Sequence, residues 1–362
     1  MVMKNILIIR LDEIGDLILS IPLIRELKSA FPEARITLVV KPALHNIFEN
    51  CPYIDNLISF DASLSNRQFI LYKLFPFLYF VLKNTVIYGR FDIAILPRFG
   101  IDTTQARKLA FLSMAARRIA FCQSMRSKHG RILVNECIDS PSLEHSVLKN
   151  LSILNYIKNM KYNDKLELWT TSEDTKFADS LSEQHSLKNS FTVVLALRSR
   201  KEMANWPLER YASLVSWLTS EYKCKILLVG GKEDRRYSSE LCNICKAGDI
   251  VDLTGQTSLR QTFSIMRYCN LYIGNDTGPM HIAAAAGVPV LVICAHSPKD
   301  CSSSSFSRFY PWKVPYVVLQ PESCIAPCAT ECVAEMPHCI MQISVEEVRK
   351  NAESMIRRIY ES

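Results

Sequence analysis

The stretch NLYIGNDTGPMHIAAAAGVPVLVIC, residues 270–294, decides the fold. Its two apolar runs, NLYIG and VPVLVIC, are strand-length and bounded by Asn, Gly and Pro, so they read as buried strands, and the alanine-rich window between them reads as a short helix. A strand, a crossover helix and a second strand in one short span imply parallel pairing and an open α/β sheet. The turn between strand and helix has a task for each residue: Asp276 or Thr277 suits the helix cap, Gly278 lets the backbone approach a ligand, Pro279 suits the first turn, and Gly287 suits the exit. Uncapped amides and the positive dipole end at the carboxyl end of a strand favour an anion such as phosphate. The same spacing also describes a well-capped helix with no ligand.

Working outward, the strand rhythm continues on both sides. Before this stretch come FTVVLAL (191–197), KCKILLVGG (223–231) and DIVDL (249–253), separated by helical windows such as residues 208–222. At the amino end, KNILIIR (4–10), an apolar helical run over 16–30 and ARITLVV (34–40) make another βαβ unit, followed by NLISF (56–60), FDIAILP (91–97) and a further strand at 117–121. The polar stretch 158–189 separates the two rhythms and is expected to be the interdomain region. The last helix, residues 344–359, opens with Ser344 and Glu347 at capping-box spacing. The fold class predicted is α/β, with two Rossmann-like doubly wound domains facing a central cleft.

A chain of 362 residues, 48% hydrophobic and 22% charged, exceeds one ordinary core and is too apolar to be disordered. The first apolar run, residues 6–9, is closed by Arg10 and Asp12 well short of a signal or membrane span, so the chain is expected to stay in the cytoplasm. The net charge of +7 favours anionic ligands or a membrane surface, and no nucleic-acid motif is present. The aromatic run FILYKLFPFLYFVL, 69–82, is interrupted by Lys73 and Pro76 and is too short to span a bilayer; it reads either as a buried helix on the first sheet or as an interfacial helix touching lipid.

In RLDEIGDLILSIPLIREL, residues 10–27, Gly15 and Asp16 follow the first strand and open its helix. A carboxylate at that junction is placed to deprotonate an acceptor hydroxyl, and Asp is equally a favoured helix cap. The thirteen cysteines are expected to be reduced thiols, mostly small buried side chains. Cys324, Cys328, Cys332 and Cys339, spaced C-x3-C-x3-C-x6-C beside His338, have the composition of a structural zinc site, with local packing or a disulfide as the other readings.

Here the sequence resembles a known family. The run IGDLILSIPLIRELKSAFPEARITLVV resembles the opening of the ADP-heptose:lipopolysaccharide heptosyltransferases, glycosyltransferase family 9, and GNDTGPMHIAAAAGVPVL resembles their donor signature. RIAF at Arg118, EHSVLKNLSIL, NWPLERYASLV, GGKED and the late cysteines follow in the family's order. The resemblance implies a GT-B architecture: an acceptor-binding domain over 1–175, a nucleotide-sugar domain over 186–345, and a terminal helix, 346–362, packing back on the first. It implies inverting transfer of heptose from ADP-heptose to the lipid A or inner-core part of lipopolysaccharide, with no cofactor and no catalytic metal, in agreement with the absence of an Asp-x-Asp pair. A peripheral position on the cytoplasmic face of the inner membrane goes with that acceptor.

By the same resemblance Asp16 is the base; Asp276, Thr277, Gly278 and His281 serve the diphosphate and sugar; Asp234, or its neighbour Glu233, serves the ribose. The family's phosphate-contacting lysine before Trp-Pro is replaced by Ala204, leaving Lys201, Arg200 or Arg198 to supply the charge. The basic cluster Arg117, Arg118, Arg126, Lys128, His129 and Arg131 is a candidate for acceptor phosphates, or a solvated basic face. Another nucleotide sugar or acceptor, or a catalytically silent homologue, would carry the same signatures. A nicotinamide oxidoreductase is disfavoured because LDEIGD lacks the G-x-G-x-x-G turn.

Overall fold

The computed structural model describes residues 3–61, 67–100, 102–122, 130–139, 144–246, 249–298, 305–328 and 333–361. It divides into two compact units, Met1–Lys165 and Leu166–Ser362. In the first, β1 (Asn5–Ile9), α1 (Ile14–Ile18), α2 (Ile21–Ala30), β2 (Arg35–Val40), α3 (His45–Phe48), β3 (Asn56–Ser59), α4 (Arg67–Tyr88), β4 (Ile93–Leu96), α5 (Ala106–Leu112), β5 (Arg117–Phe121), α6 (Gly130–Leu133), β6 (Glu136–Ile138) and α7 (Ser146–Ile157) follow in turn. The strands form one parallel sheet in the order β3-β2-β1-β4-β5-β6. Strand order therefore reverses between β1 and β4, and an open α/β sheet presents its ligand crevice at the carboxyl ends of such a pair.

The helical run over 16–30 is two helices. Pro22 sits in the first turn of α2, where its fixed φ starts a helix and its missing N–H costs nothing, so α1 ends and a new helix begins. α4 continues past the aromatic run, and its Phe77 and Val81 enter the core with Leu7, Ile9, Ala94 and Leu96. At the sheet edge Cys122 and Cys137 form a disulfide, next to the paired residues Phe121 and Ile138. This corrects the expectation that every thiol is reduced: parallel register brings the two positions side by side, which spacing alone does not reveal.

The second unit contains α8 (Ser172–Gln184), β7 (Thr192–Ala196), α9 (Leu208–Glu221), β8 (Lys225–Leu228), α10 (Arg235–Cys245), β9 (Ile250–Asp252), α11 (Leu259–Met266), β10 (Leu271–Asn275), α12 (Gly278–Ala285), β11 (Val290–Ile293), β12 (Tyr316–Leu319) and α13 (Val345–Glu361). Its parallel sheet has the order β12-β11-β10-β7-β8-β9, so the reversal lies between β7 and β10. Much of the stretch expected to be interdomain is α8, which a Thr171–Asp174 capping box starts and which packs on α11, with Asp174 paired to Arg260 at 2.9 Å. The unit boundary accordingly precedes the expected residue 175.

α13 begins as predicted, with the Glu347 amide donating to Ser344 Oγ at 3.1 Å. Its apolar face, Val348, Ala352, Met355 and Ile356, is buried in the core of the second unit against α9. The face assigned by resemblance to the first unit is therefore used by the second. A 3.6-residue stripe states that a helix buries one side; it does not state on what.

Candidate active site

In the first unit, β1 runs into the loop Arg10–Asp12 and then α1, whose first turn carries Asp16. The cap position belongs to Glu13, which makes no side-chain cap and pairs with Lys41 at 2.7 Å, so Asp16 is not held there as a helix cap. Instead Asp16 Oδ1 accepts from Arg10 Nη2 at 3.1 Å, and its backbone carbonyl accepts from Ser20 Oγ at 2.7 Å. Arg10 also faces Asp12 at 3.2 Å, and Asp12 accepts from Arg98, which comes from the loop after β4 and donates to Thr103 Oγ1 at 3.1 Å. Two strands at the reversal point thus supply two guanidiniums and two carboxylates.

Arg10 and Asp12 are only 3% and 5% exposed, while Asp16 retains 27%. Burying such a cluster favours stability little, because desolvation consumes much of the Coulomb gain, and it makes these strand ends the candidate site of the first unit. Burial pushes the Asp16 carboxyl above the usual carboxylate range; Arg10 opposes this and Asp12 adds to it. Asp16 is therefore a stronger base than an ordinary aspartate and the one carboxylate of the cluster with appreciable exposure, at 27% against 5% for Asp12. Phe99, adjacent to Arg98, carries the buried Lys149 ammonium 3.4 Å from its ring centre.

In the second unit the corresponding strand ends gather at β7 and β10. Thr277 occupies the N-cap of α12 without a side-chain cap bond, Pro279 lies in its first turn, and Gly287 leaves the helix at φ 81°. The Thr277 hydroxyl and the Gly278 end of the helix are consequently presented for an anion, with buried His281 on the first turn. Gly274 has no alternative: a Cβ there would stand 2.8 Å from the Ala196 carbonyl and from the Tyr272 hydroxyl. Burial lifts Asp276 to about 6, against the opposing charges of His296 and Lys201.

Lys201 is thus within electrostatic range of Asp276 in the β10–α12 turn. Ala204 contributes its carbonyl, which accepts from Asn275 Nδ2, while Asn275 Oδ1 accepts from the Tyr211 hydroxyl. Asn205 Oδ1 accepts from the Ser199 amide at 2.7 Å, bracing the same loop. Arg198 lies between Glu202 at 2.6 Å and Asp234 at 3.7 Å and stacks on Tyr237. Asp234 Oδ2 accepts from the Gly231 amide at 2.9 Å, so this half-buried carboxyl shapes the GGKED turn; exposed Glu233 lies over Gly231, where a Cβ would collide with it.

The structure does not bring every predicted residue to these strand ends. Arg118 is the second residue of β5, near the amino ends of the strands, and its guanidinium donates to the carbonyls of Leu133 and Ala115 at 2.9 and 2.8 Å. Those bonds tie it to its own framework, and it lies at the opposite end of the strands from Asp16. Arg126, Lys128 and Cys332 lie outside the described residues, as does the side chain of Arg131. Arg10, Asp12, Arg98, Glu202, Asn275 and His296 were not singled out by sequence. Their common signal is position: each stands at the carboxyl end of a strand or in the loop that leaves it.

Two doubly wound units, each with its own reversal of strand order, have the architecture of the GT-B class. The family model for glycosyltransferase family 9 (heptosyltransferase) matches residues 90–334, about two thirds of the chain, and the chain belongs to this family. It is 24% identical over 304 residues to the lipopolysaccharide core heptosyltransferase OpsX of Haemophilus influenzae, covering 82% of this chain and 80% of that protein. Among solved structures, a family 9 glycosyl transferase from Veillonella parvula superposes with a TM-score of 0.81 at 22% identity, covering 99% of this chain and 98% of the other. The E. coli ADP-heptose lps heptosyltransferase II superposes at 0.71 and 17% identity, covering 98% and 99%.

Proposed function

We propose that the protein transfers heptose from ADP-heptose to the inner core of lipopolysaccharide, inverting the anomeric centre, with Asp16 as the base. The observation that carries this reading is the Asp16 carboxyl itself: partly open, raised in pKa by burial, and fixed through Oδ1 by Arg10. A base on one oxygen takes the acceptor proton as the hydroxyl attacks, and ADP leaves from the opposite face, which inverts the centre in a single displacement. The leaving diphosphate meets the α12 terminus, the Thr277 hydroxyl and Lys201, a set that supplies positive charge from the protein itself. The E. coli relative named for ADP-heptose supports the choice of donor.

The acceptor is amphiphilic, and α4 supports a peripheral position at an anionic bilayer. Among the described residues no helix is long and apolar enough to cross a membrane. Yet Phe75, Tyr79, Leu82 and Val86 are 59–85% exposed and recur at helical spacing along one face of α4. The helix contains no Asp or Glu, and exposed Lys83 and Arg90 border the face. An apolar stripe edged by cations fits the surface of an anionic membrane. Beside it a cavity of about 670 Å³, lined by Leu78, Leu82, Phe111, Met114 and Arg118 among others, has the chemistry to admit an acyl segment.

The test is ADP release from ADP-heptose with a heptose-deficient lipopolysaccharide acceptor, comparing the natural chain with a folded Asp16→Ala variant. Acceptor-dependent release that the substitution abolishes is the expected result. The replacement of the family lysine by Ala204 gives a second reading, a relative using another sugar nucleotide or acceptor. Turnover with a different pair and none with ADP-heptose would establish it, whereas no turnover with any pair would mark a silent homologue.

A further inference from the structure

The segment from β12 to α13 contains, among its described residues, one short 3-10 turn, Cys339–Gln342, and no strand. Within it Cys328 and Cys339 are buried, and their sulfurs lie 3.7 and 3.4 Å from the same atom, Nδ1 of His338. All three donor atoms fall within 4.8 Å of one another. Neutral Nδ1 offers either one lone pair or one proton, so it can make a single good hydrogen bond, yet two sulfurs converge on it. Bond lengths of about 2.3 Å to sulfur and 2.0–2.1 Å to nitrogen give a tetrahedron whose sulfur–nitrogen edge is about 3.5 Å. The two observed separations bracket that edge.

We propose that Cys328, His338 and Cys339 bind a structural zinc-class cation, with Cys324 as the fourth donor, and that the ion fixes the loop behind the donor-side turn. Cys324 precedes Ile325, whose amide donates to Cys339 Sγ at 3.5 Å, the kind of contact that orients a ligating thiolate. The ligand set of three sulfurs and one imidazole selects a soft or borderline divalent ion over magnesium or calcium. No part of the transfer reaction passes through it.

The second half of the proposal follows from what this segment supports, and it rests on the donor reading given above. Ile343 presents its carbonyl to Trp206 Nε1 at 2.9 Å and to Arg210 Nη1 at 2.6 Å, and Met341 presents its own to Arg210. The turn Cys339–Gln342 packs on the turn Glu202–Ala204, whose last carbonyl is held by Asn275. Loosening the thiolate cluster therefore frees a brace of the loop that carries Lys201.

Full-length protein purified without chelator is expected to carry about one zinc per chain by mass spectrometry. After anaerobic removal of the ion, cobalt(II) should give a sulfur-to-metal charge-transfer band that saturates at about one equivalent. The band should be lost in Cys328→Ser and in the milder His338→Ala, and kept in Cys242→Ser, a cysteine of α10. Ion removal should weaken binding of ADP about fivefold or more, reversed by zinc. Absence of a saturable ion in reduced, folded protein, or a band that survives both ligand substitutions, overturns the site; unchanged ADP affinity after removal overturns the bracing role. Protein that takes up the ion but never binds ADP would instead reject the donor reading and leave the site standing.

Discussion

At the residue scale the two carboxyls at the strand ends carry opposite requirements. Asp16 must be ionised to accept a proton, and burial has raised its pKa, so the rate of transfer should fall as pH drops through that raised value, earlier than for an ordinary aspartate. Asp16→Asn preserves shape and should cost about a hundredfold or more in kcat with little change in donor KM; a loss in KM alone would make it a binding residue. Asp276, near 6, adjoins the α12 terminus at which the diphosphate is proposed to bind. Above that pH it is charged and repels a diphosphate; as pH falls through about 6 it gains a proton and the repulsion ends. Affinity for an ADP-sugar, whose diphosphate does not titrate there, should therefore rise from pH 7.5 to 5.5, and Asp276→Asn should flatten the profile. His296 opposes the Asp276 charge, so His296→Gln is the companion control; a profile that persists in Asp276→Asn assigns the effect elsewhere. Lys201→Ala should weaken the same ligand about tenfold, the worth of one charge-assisted contact. Asp16 and the β10–α12 turn were legible in sequence because strand-to-helix junctions announce themselves by type and spacing. Asp12, Arg98 and His296 were not, since what unites them is adjacency across the sheet.

At the scale of elements, α4 shows what a sequence leaves undecided. Its aromatic run supports both a buried helix and an interfacial one, and the structure gives each reading a face: Phe77 and Val81 inward, Phe75, Tyr79, Leu82 and Val86 outward. Substituting Leu82→Glu with Val86→Glu removes apolar contact from the outer face and adds charge opposed to an anionic surface. Cosedimentation with vesicles containing anionic lipid should drop about tenfold or more, with the thermal midpoint unchanged because neither side chain is in the core. Vesicle binding that stays intact would exclude this face as the membrane contact. The two strands that sequence reading missed, β6 and β12, each lie at one edge of their sheet. β6 is three residues with one buried side chain, and the first three positions of β12 are not buried, so neither writes the continuous apolar signal of the central strands. The partner of α13 was illegible for a related reason: amphipathic spacing encodes burial without naming the surface that receives it.

At the scale of the molecule, the chain holds two parallel sheets of equivalent strand order, each with its own apolar cluster, Leu7, Ile9, Ala94 and Leu96 in the first and Val193, Leu195, Ile226 and Ile273 in the second. The repeated strand rhythm made this division readable, while the boundary was blurred because the polar residues of α8 lie on a solvated face of a real helix. Each unit also has its own reversal of strand order and its own charged site, so donor binding should be a property of one half. Hydrogen exchange on the full chain with saturating ADP should slow in residues 197–206, 229–235, 275–281 and 294–297. A ligand at a hundred times its Kd stabilises the state that binds it by about 2.7 kcal/mol, enough to retard local opening throughout those loops. The Arg10–Asp16 segment should keep its exchange rate until an acceptor is added, since its bonds to Arg98 and Ser20 are all internal to the first unit. Protection by ADP that appears first around Asp16, with the second-unit loops unchanged, would reverse the assignment of donor and acceptor halves.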